Sequence, residues 1–267
     1  MIDKTKVKKF FSRHAHEYDK HSSLQQRMGD KLLAKINSNL KNPKRILDIG
    51  SGTGFISKKL HNKFPNSEII CCDIAHGMSV EAKFKLGNLN NITFVTADAE
   101  ILPFGDETFD LVISNATFQW MNELSFVFKE IMGVLMPGGS FYFSTFGTNT
   151  LFELRNSFVR ASEELNPTVV PHIQRFKSLG FILGIMDDKQ FHRFGVDLDV
   201  EKEHYADVRT LIKTLQSIGA QNASMNAPKG LRRRDVINRM IEIYNTEYKS
   251  GIGIVATYEI VNGFAQK

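Results

Sequence analysis

Apolar positions along this 267-residue chain fall into short runs that alternate with stretches of helical spacing. Ile46, Leu47 and Ile49 form a compact run that reads as a buried parallel strand. Phe55 to Phe64 then carries apolar residues at helical spacing. Glu68–Asp73, Ile92–Thr96 and Phe109–Asn115 read as three further strands, the last continuous enough for the middle of a parallel sheet. Leu124 to Leu135 reads as an amphipathic helix, Pro137-Gly138-Gly139 as a turn, and Ser140–Phe146 as a fifth strand. Such alternation implies an α/β sheet with helices on both faces.

The two ends of the chain follow other patterns. Residues 1–42 read as helical, with Val7, Phe10, Phe11, Ala15 and Tyr18 in a loose trace and Leu24 to Leu40 as a clearer amphipathic helix. The run Lys4, Lys6, Lys8, Lys9 reads as a solvated face. Past the fifth strand the rhythm breaks: Thr150 to Leu165 is helical, and Ile173 to Leu179 suggests a second helix closed by Gly180. Phe191 to Glu203 alternates as an edge strand, Val208 to Ile218 is a helix, and Ile252 to Phe264 is the last strand. A basic loop, Pro228 to Asp235, enters another helix between them. The expected organisation is a helical lid over 1–42, a core over 43–147, a helical insertion over 148–190, and a return to the core over 191–267.

Composition narrows the setting. With 42% hydrophobic residues the chain can bury a full core. No apolar run approaches a membrane span and the first twenty residues are charged, so neither a signal peptide nor a membrane anchor is expected. Cys71 and Cys72 are adjacent in a strand, point to opposite faces and lack metal-ligand spacing, which predicts core thiols, no metal, and a reduced, cytoplasmic setting. The net charge of +5 admits an acidic partner, or only a solvated surface.

The chemistry concentrates at Asp48-Ile49-Gly50-Ser51-Gly52-Thr53-Gly54. Glycines let a loop take positive φ and let a ligand touch bare backbone. The spacing G-x-G-x-G differs from the dinucleotide fingerprint G-x-G-x-x-G, because Phe55 stands where its third glycine would be. No Lys-Ser/Thr follows, which excludes a P-loop. Asp48 would repel phosphate and suit a cationic ligand. Asp73 ends the second strand about 20 residues on, where an acid can accept hydrogen bonds from ribose hydroxyls. D-x-G-x-G-x-G resembles motif I of the class I S-adenosylmethionine (SAM) methyltransferases. That resemblance implies a Rossmann-like fold with a seven-stranded, mostly parallel sheet. It also implies a SAM site of Asp48, Gly50, Gly52, Gly54, Asp73 and Ile74, with Asp98 and Ala99 at the adenine and Asn115 after the fourth strand. The fourth strand lacks the N/D-P-P-Y/F motif of base-modifying enzymes, which argues against nucleic acid as substrate.

A narrower likeness spans nearly the whole chain. Phe11-x-Arg13 with Tyr18, Leu24-Gln25, Ser114-Asn115 with Gln119-Trp120, Ile218-Gly219-Ala220, Leu231-x-Arg233 and Thr257-Tyr258 together resemble the malonyl-[acyl-carrier-protein] O-methyltransferase family of biotin synthesis. One departure is Arg232, where the family pattern L-T-R has threonine. The resemblance implies a malonyl thioester on acyl carrier protein, or malonyl-CoA, as acceptor, with Tyr18, Gln119 and Arg233 at the reacting end. An arginine is the natural clamp for a carboxylate. Arg232, Arg233 and Arg234 can equally be read as a solvated turn. Two other readings share these motifs: a quinone- or phenol-type methyltransferase using His14, His16 or Tyr18 as base, and a non-catalytic SAM-binding regulator.

Overall fold

The structure is a computed structural model that describes residues 2–36, 40, 42–165, 176–188, 191–218, 233–251 and 253–267. Its first half alternates strand and helix: β1 (Arg45–Ile49), α4 (Phe55–Lys63), β2 (Glu68–Asp73), α5 (His76–Leu86), β3 (Ile92–Thr96), β4 (Phe109–Asn115), α6 (Leu124–Val134) and β5 (Leu135–Phe146). Ahead of these lie α1 (Lys4–His14), α2 (Tyr18–His21) and α3 (Ser23–Lys35). After them come α7 (Phe152–Leu165), α8 (Leu179–Asp188), β6 (Arg193–Tyr205), α9 (Val208–Ser217), α10 (Arg233–Glu247), β7 (Lys249–Ser250) and β8 (Gly253–Gln266).

The strands form one sheet in the order β3-β2-β1-β4-β5-β8-β6, with the two-residue β7 beside β8. The seven expected strands are all present, and β7 adds an eighth among the described residues. Strands β1 to β5 pair parallel, while β8 runs antiparallel to both β5 and β6. From β1 the chain moves outward through β2 and β3, then returns to the other side of β1 as β4. The order reverses between β1 and β4, and at such a switch point the loops diverge and leave a crevice at the carboxyl ends of the strands.

Alternation along the strands builds two cores. Ile46, Ile69, Leu111 and Ile113 turn to one face, where α3 and α4 bury Leu32, Ile56 and Leu60. Leu47, Ile49, Ile70 and Val112 turn to the other, against Phe128 and Ile131 of α6 and Ile182 and Met186 of α8. A third cluster, with Leu24, Met28, Phe146, Val236, Tyr244 and Tyr258, joins α3 to α10 and β8.

Three boundaries differ notably from those read in the sequence. The helix expected to run to Leu40 stops at Lys35, where Ile36 turns extended and is buried. Pro137-Gly138-Gly139 lies inside a continuous β5: Phe109 pairs with Leu135 and Leu111 with Ser140, so the extra residues bulge out, with Gly138 at φ +78. The helix expected to end at Gly180 instead begins at Leu179. Ile182, Ile185 and Met186 are buried at helical spacing, and a side chain at Gly180 would meet nothing, so that glycine is no stop signal. Of that expected helix, 173–175 fall outside the described residues and 176–178 are not helical.

Along the edge, α3 and β6 are matched in pitch. Arg27 pairs with Glu201 at 3.0 Å, Lys31 with Asp199 at 2.5 Å and Lys35 with Asp197 at 2.6 Å. Four helical residues rise about 6 Å and two strand residues about 6.7 Å, so cations every fourth residue meet acids every second.

Gly54, the N-cap of α4, has φ +87, and a β-carbon there would stand 2.5 Å from Leu86 Cδ1. Gly54→Ala should therefore lower unfolding stability by about 1–2 kcal/mol from the left-handed backbone alone, with the Leu86 clash adding to it. A urea melt matching that of the wild type would contradict this account of the turn.

Candidate active site

A cavity opens at the switch point, where α/β sheets of this kind place their ligands. Its floor is the backbone of Ile49, Gly50 and Gly52, and Asp73 and Ile74 mark the end of β2. Met78, Ala97 and Ala99 supply an apolar wall. Phe11, Tyr18 and Trp120 stand on the helical side, with the Phe11 ring edge-on to Trp120 at 5.5 Å and to Tyr18 at 6.2 Å. A smaller cavity adjoins it and shares Tyr18, Gly50, Gly52 and Asn115.

Asp73 organises the loop. Its carboxylate accepts the Gly52 N–H at 2.9 Å and the Ala75 N–H at 2.7 Å, and burial still pushes its pKa up to about 6. Gly52 sits at φ +54, and a β-carbon there would enter open space, so bare backbone faces the cavity. Ala116, just past β4, is also left-handed at φ +50, a strained conformation of the kind that gathers at functional sites. Among the described residues no lysine or arginine lines either cavity. The site thus suits a neutral or cationic ligand and would hold a phosphate poorly.

The expected residues divide. Gly50, Gly52, Asp73, Ile74, Ala99, Asn115 and Tyr18 come together around the cavities. Gly54 does not line them; it packs helix against helix at Leu86 and Ala82. Asp48 lies beneath the loop, 1% exposed, where it accepts the Ser57 hydroxyl at 2.5 Å. It cannot meet a ligand there, because its alternating place on β1 turns it into the α3–α4 face. Asp98 turns away as well: Lys4 of α1 donates to its two oxygens at 2.6 and 2.8 Å and pairs with Glu100 at 2.8 Å. Lys4 is therefore a tie between α1 and the loop after β3, not part of a solvated face. Gln119 lines neither cavity; it donates to the Ala116 carbonyl at 2.6 Å and accepts from Thr145 at 3.2 Å. The Asn115 amide donates to the Gln25 carbonyl at 2.9 Å and accepts the Ser144 hydroxyl at 2.5 Å, so it fastens α3 to the sheet.

Arg232 lies outside the described residues. Arg233 opens α10, but its side chain is not among those described, and Arg234 is exposed. His14 stacks on Phe10 and bonds its carbonyl at 2.9 Å, and His16 is exposed; neither lines the cavities. Burial and the neighbouring carboxylates of Asp73 and Asp19 hold the Tyr18 phenol well above its usual range. Burial likewise pushes the Cys71 and Cys72 thiols up to about 12, so neither is a thiolate at neutral pH. Several cavity residues carried no individual signal in the sequence: Asp19, which holds α2 to Thr53 at 2.5 Å and to Lys85 at 2.7 Å, Met78 and Thr117. Gln25 entered only through the Leu24-Gln25 likeness, with no role assigned. Trp120, the single tryptophan, was the most visible of those with no assigned role.

A family model described as a methyltransferase domain matches residues 47–143, which span the glycine loop and both cavities' sheet edge. The YcgJ protein from Bacillus subtilis superposes with a TM-score of 0.62 at 18% identity, covering 90% of this chain and 97% of that one. Haemonchus contortus phosphoethanolamine N-methyltransferase 2, solved in complex with S-adenosyl-L-methionine, gives a TM-score of 0.55 at 19% identity over 90% of this chain and 52% of that one. A malonyl-[acyl-carrier protein] O-methyltransferase of Geobacter sulfurreducens is 35% identical over 267 residues, all of both chains. One of Ilyobacter polytropus is 37% identical over 98% of this chain and 97% of its own. With its cavity at the switch point and the domain model lying across it, the protein is a Rossmann-like, SAM-dependent methyltransferase. The likeness along its full length is narrower than that class, and the chain belongs to the malonyl-[acyl-carrier protein] O-methyltransferase family.

Asp48 offers a test of the site's electrostatics that needs no ligand. Burial, chiefly, raises its pKa to about 7, against about 4 in an unfolded chain. The folded protein therefore binds this proton more tightly. The associated stability is fully present below about pH 4 and is lost as pH rises through 7, a change on the order of 4 kcal/mol. Asp48→Asn removes the titration, so its melting temperature should fall less than the wild type's between pH 5 and 8. Parallel profiles would place the pH dependence elsewhere.

Proposed function

We propose that this chain transfers the methyl group of SAM to the free carboxylate of a malonyl thioester on acyl carrier protein, forming the methyl ester that starts biotin synthesis. The observation that carries the reading is the full-length likeness to malonyl-[acyl-carrier protein] O-methyltransferases, joined to a cavity whose chemistry fits the cofactor. SAM supplies an electrophilic methyl on a sulfonium and carries no phosphate. In this reading its ribose hydroxyls bond Asp73, it lies on the bare backbone of Gly52, and its base is flanked by Ile74, Met78, Ala97 and Ala99, all of which line the cavity. Gln119 acts at one remove by holding the Ala116 turn.

The acceptor needs no general base, since a carboxylic acid with an ordinary pKa near 4 is already ionised at neutral pH. A raised Tyr18 phenol fits that economy better than it fits a phenol-type enzyme in need of a base. The chain's contribution is to hold the carboxylate oxygen about 3 Å from the methyl and in line with the sulfonium, and to exclude water. We assign the closing to residues 1–42, whose Phe11 and Tyr18 border the cavity and which Lys4, Asp19 and Asn115 tie down. Arg233 is the proposed clamp, because a guanidinium binds carboxylate in a two-pronged fork. Malonyl-CoA presents the same carboxylate and is the second acceptor to try.

Label from methyl-labelled SAM should appear in a base-labile ester on malonyl-ACP. SAM binding without any transfer to a malonyl thioester would defeat the substrate assignment. Asp73→Ala should weaken SAM binding by about 1–3 kcal/mol in calorimetry, and unchanged affinity in a folded variant would remove Asp73 from the site. Arg233→Ala should lower kcat/KM for malonyl-ACP on the order of a hundredfold, with SAM affinity retained and partial rescue in Arg233→Lys. Equal, mild losses in Arg232→Ala, Arg233→Ala and Arg234→Ala would mean only general attraction to an acidic carrier.

A further inference from the structure

The smaller cavity contains an unanswered hydrogen-bonding group. Gln25, in the first turn of α3, is 9% exposed, and its Oε1 is buried with no hydrogen-bond partner. Of the described side chains with a buried, unpartnered polar atom, it is the one that lines either cavity at the switch point. Its neighbours there are already engaged: Thr53 donates to Asp19, Gln26 to Ser22 and the Asp19 carbonyl, and Asn115 to the Gln25 carbonyl. The last of these bonds fixes the Gln25 backbone over the sheet. The close approach of Gly29 to Ile56 sets α3 down on α4 one turn later. Gln25 is thus held at the cavity by packing that has nothing to gain from an unpaired amide, and burying one without a partner is costly.

We infer that Gln25 contacts the cofactor: the smaller cavity receives the amino-acid end of SAM, and the Gln25 amide bonds it there. This rests on the reading of the protein as a SAM-dependent methyltransferase. A ligand with its ribose at Asp73 crosses Gly52 and Gly50, the backbone that both cavities share, and its ammonium and carboxylate then enter the smaller one. A neutral amide suits such a zwitterion. Its oxygen accepts from the ammonium and its nitrogen can donate to the carboxylate, and neither costs the desolvation of a buried charge.

The test compares two ligands on the full-length protein by calorimetry. S-adenosylhomocysteine carries the ammonium and carboxylate, whereas 5′-methylthioadenosine keeps the nucleoside and sulfur but lacks both. Gln25→Met should weaken S-adenosylhomocysteine about tenfold or more and 5′-methylthioadenosine less than about twofold. The melting temperature of the ligand-free variant should stay level or rise, because an unpaired amide has been replaced by an apolar group of similar shape. Should that variant not fold, Gln25→Asn, which withdraws the amide by one methylene, carries the same comparison. Retained S-adenosylhomocysteine affinity, or equal losses for both ligands, would overturn the assignment. Wild-type protein that binds neither ligand would overturn the cofactor reading itself, and this inference with it.

Discussion

The parting of β1 from β4 is the constraint on which the molecule depends. Because the chain leaves β1 in one direction and returns on its other side, no crossover helix covers the carboxyl ends of those two strands. The N-terminal helices border the crevice this leaves, with Val7, Phe11 and Tyr18 at the larger cavity. Apolar packing seats α3 through Leu24, Met28, Leu32 and Leu33, and polar ties register the N-terminal helices: Lys4 to Asp98, Asp19 to Thr53 and Lys85, and Asn115 to the backbone of α3.

Charge in and under the crevice is negative. Asp48 and Asp73 are both enclosed, and each has its pKa raised by that enclosure. The cost is offset partly by hydroxyl and backbone donors, and a cationic sulfonium ligand would relieve more of it. The same arrangement explains why the cavity walls carry no lysine or arginine among the described residues. The cation proposed for the acceptor belongs to a segment that follows the core.

Much of this was legible in the sequence, for physical reasons. Buried parallel strands must be apolar on both faces, so β1, β2 and β4 announced themselves as runs, and three glycines beside a strand end located the loop. What failed to show were properties of partnership. Asp98 matched a motif position, yet Lys4 turns its carboxylate aside from ninety residues away in the chain. Asp48 looked like a ligand because it precedes the loop, but strand alternation sends it to Ser57. Pro137-Gly138-Gly139 has turn chemistry, and only the pairing of β5 with β4 shows it absorbed as a bulge. Gln25 entered only through the family likeness of Leu24-Gln25, without a role, since an unpaired amide oxygen can be recognised only once every neighbour has a position.

The acids of β6 have a second consequence. This thirteen-residue strand ends the strand order, and among the described residues no strand pairs with the other side of its backbone. Long bare edges recruit strands from other molecules, with fibrous aggregates as the end point. Asp197, Asp199, Glu201 and Glu203 set charged side chains at every second position of this edge, a patterning that discourages a further strand from pairing there. Arg27, Lys31 and Lys35 satisfy these acids from within the molecule. The stitching that seats a helix thereby also guards the protein against its own copies in a crowded cell.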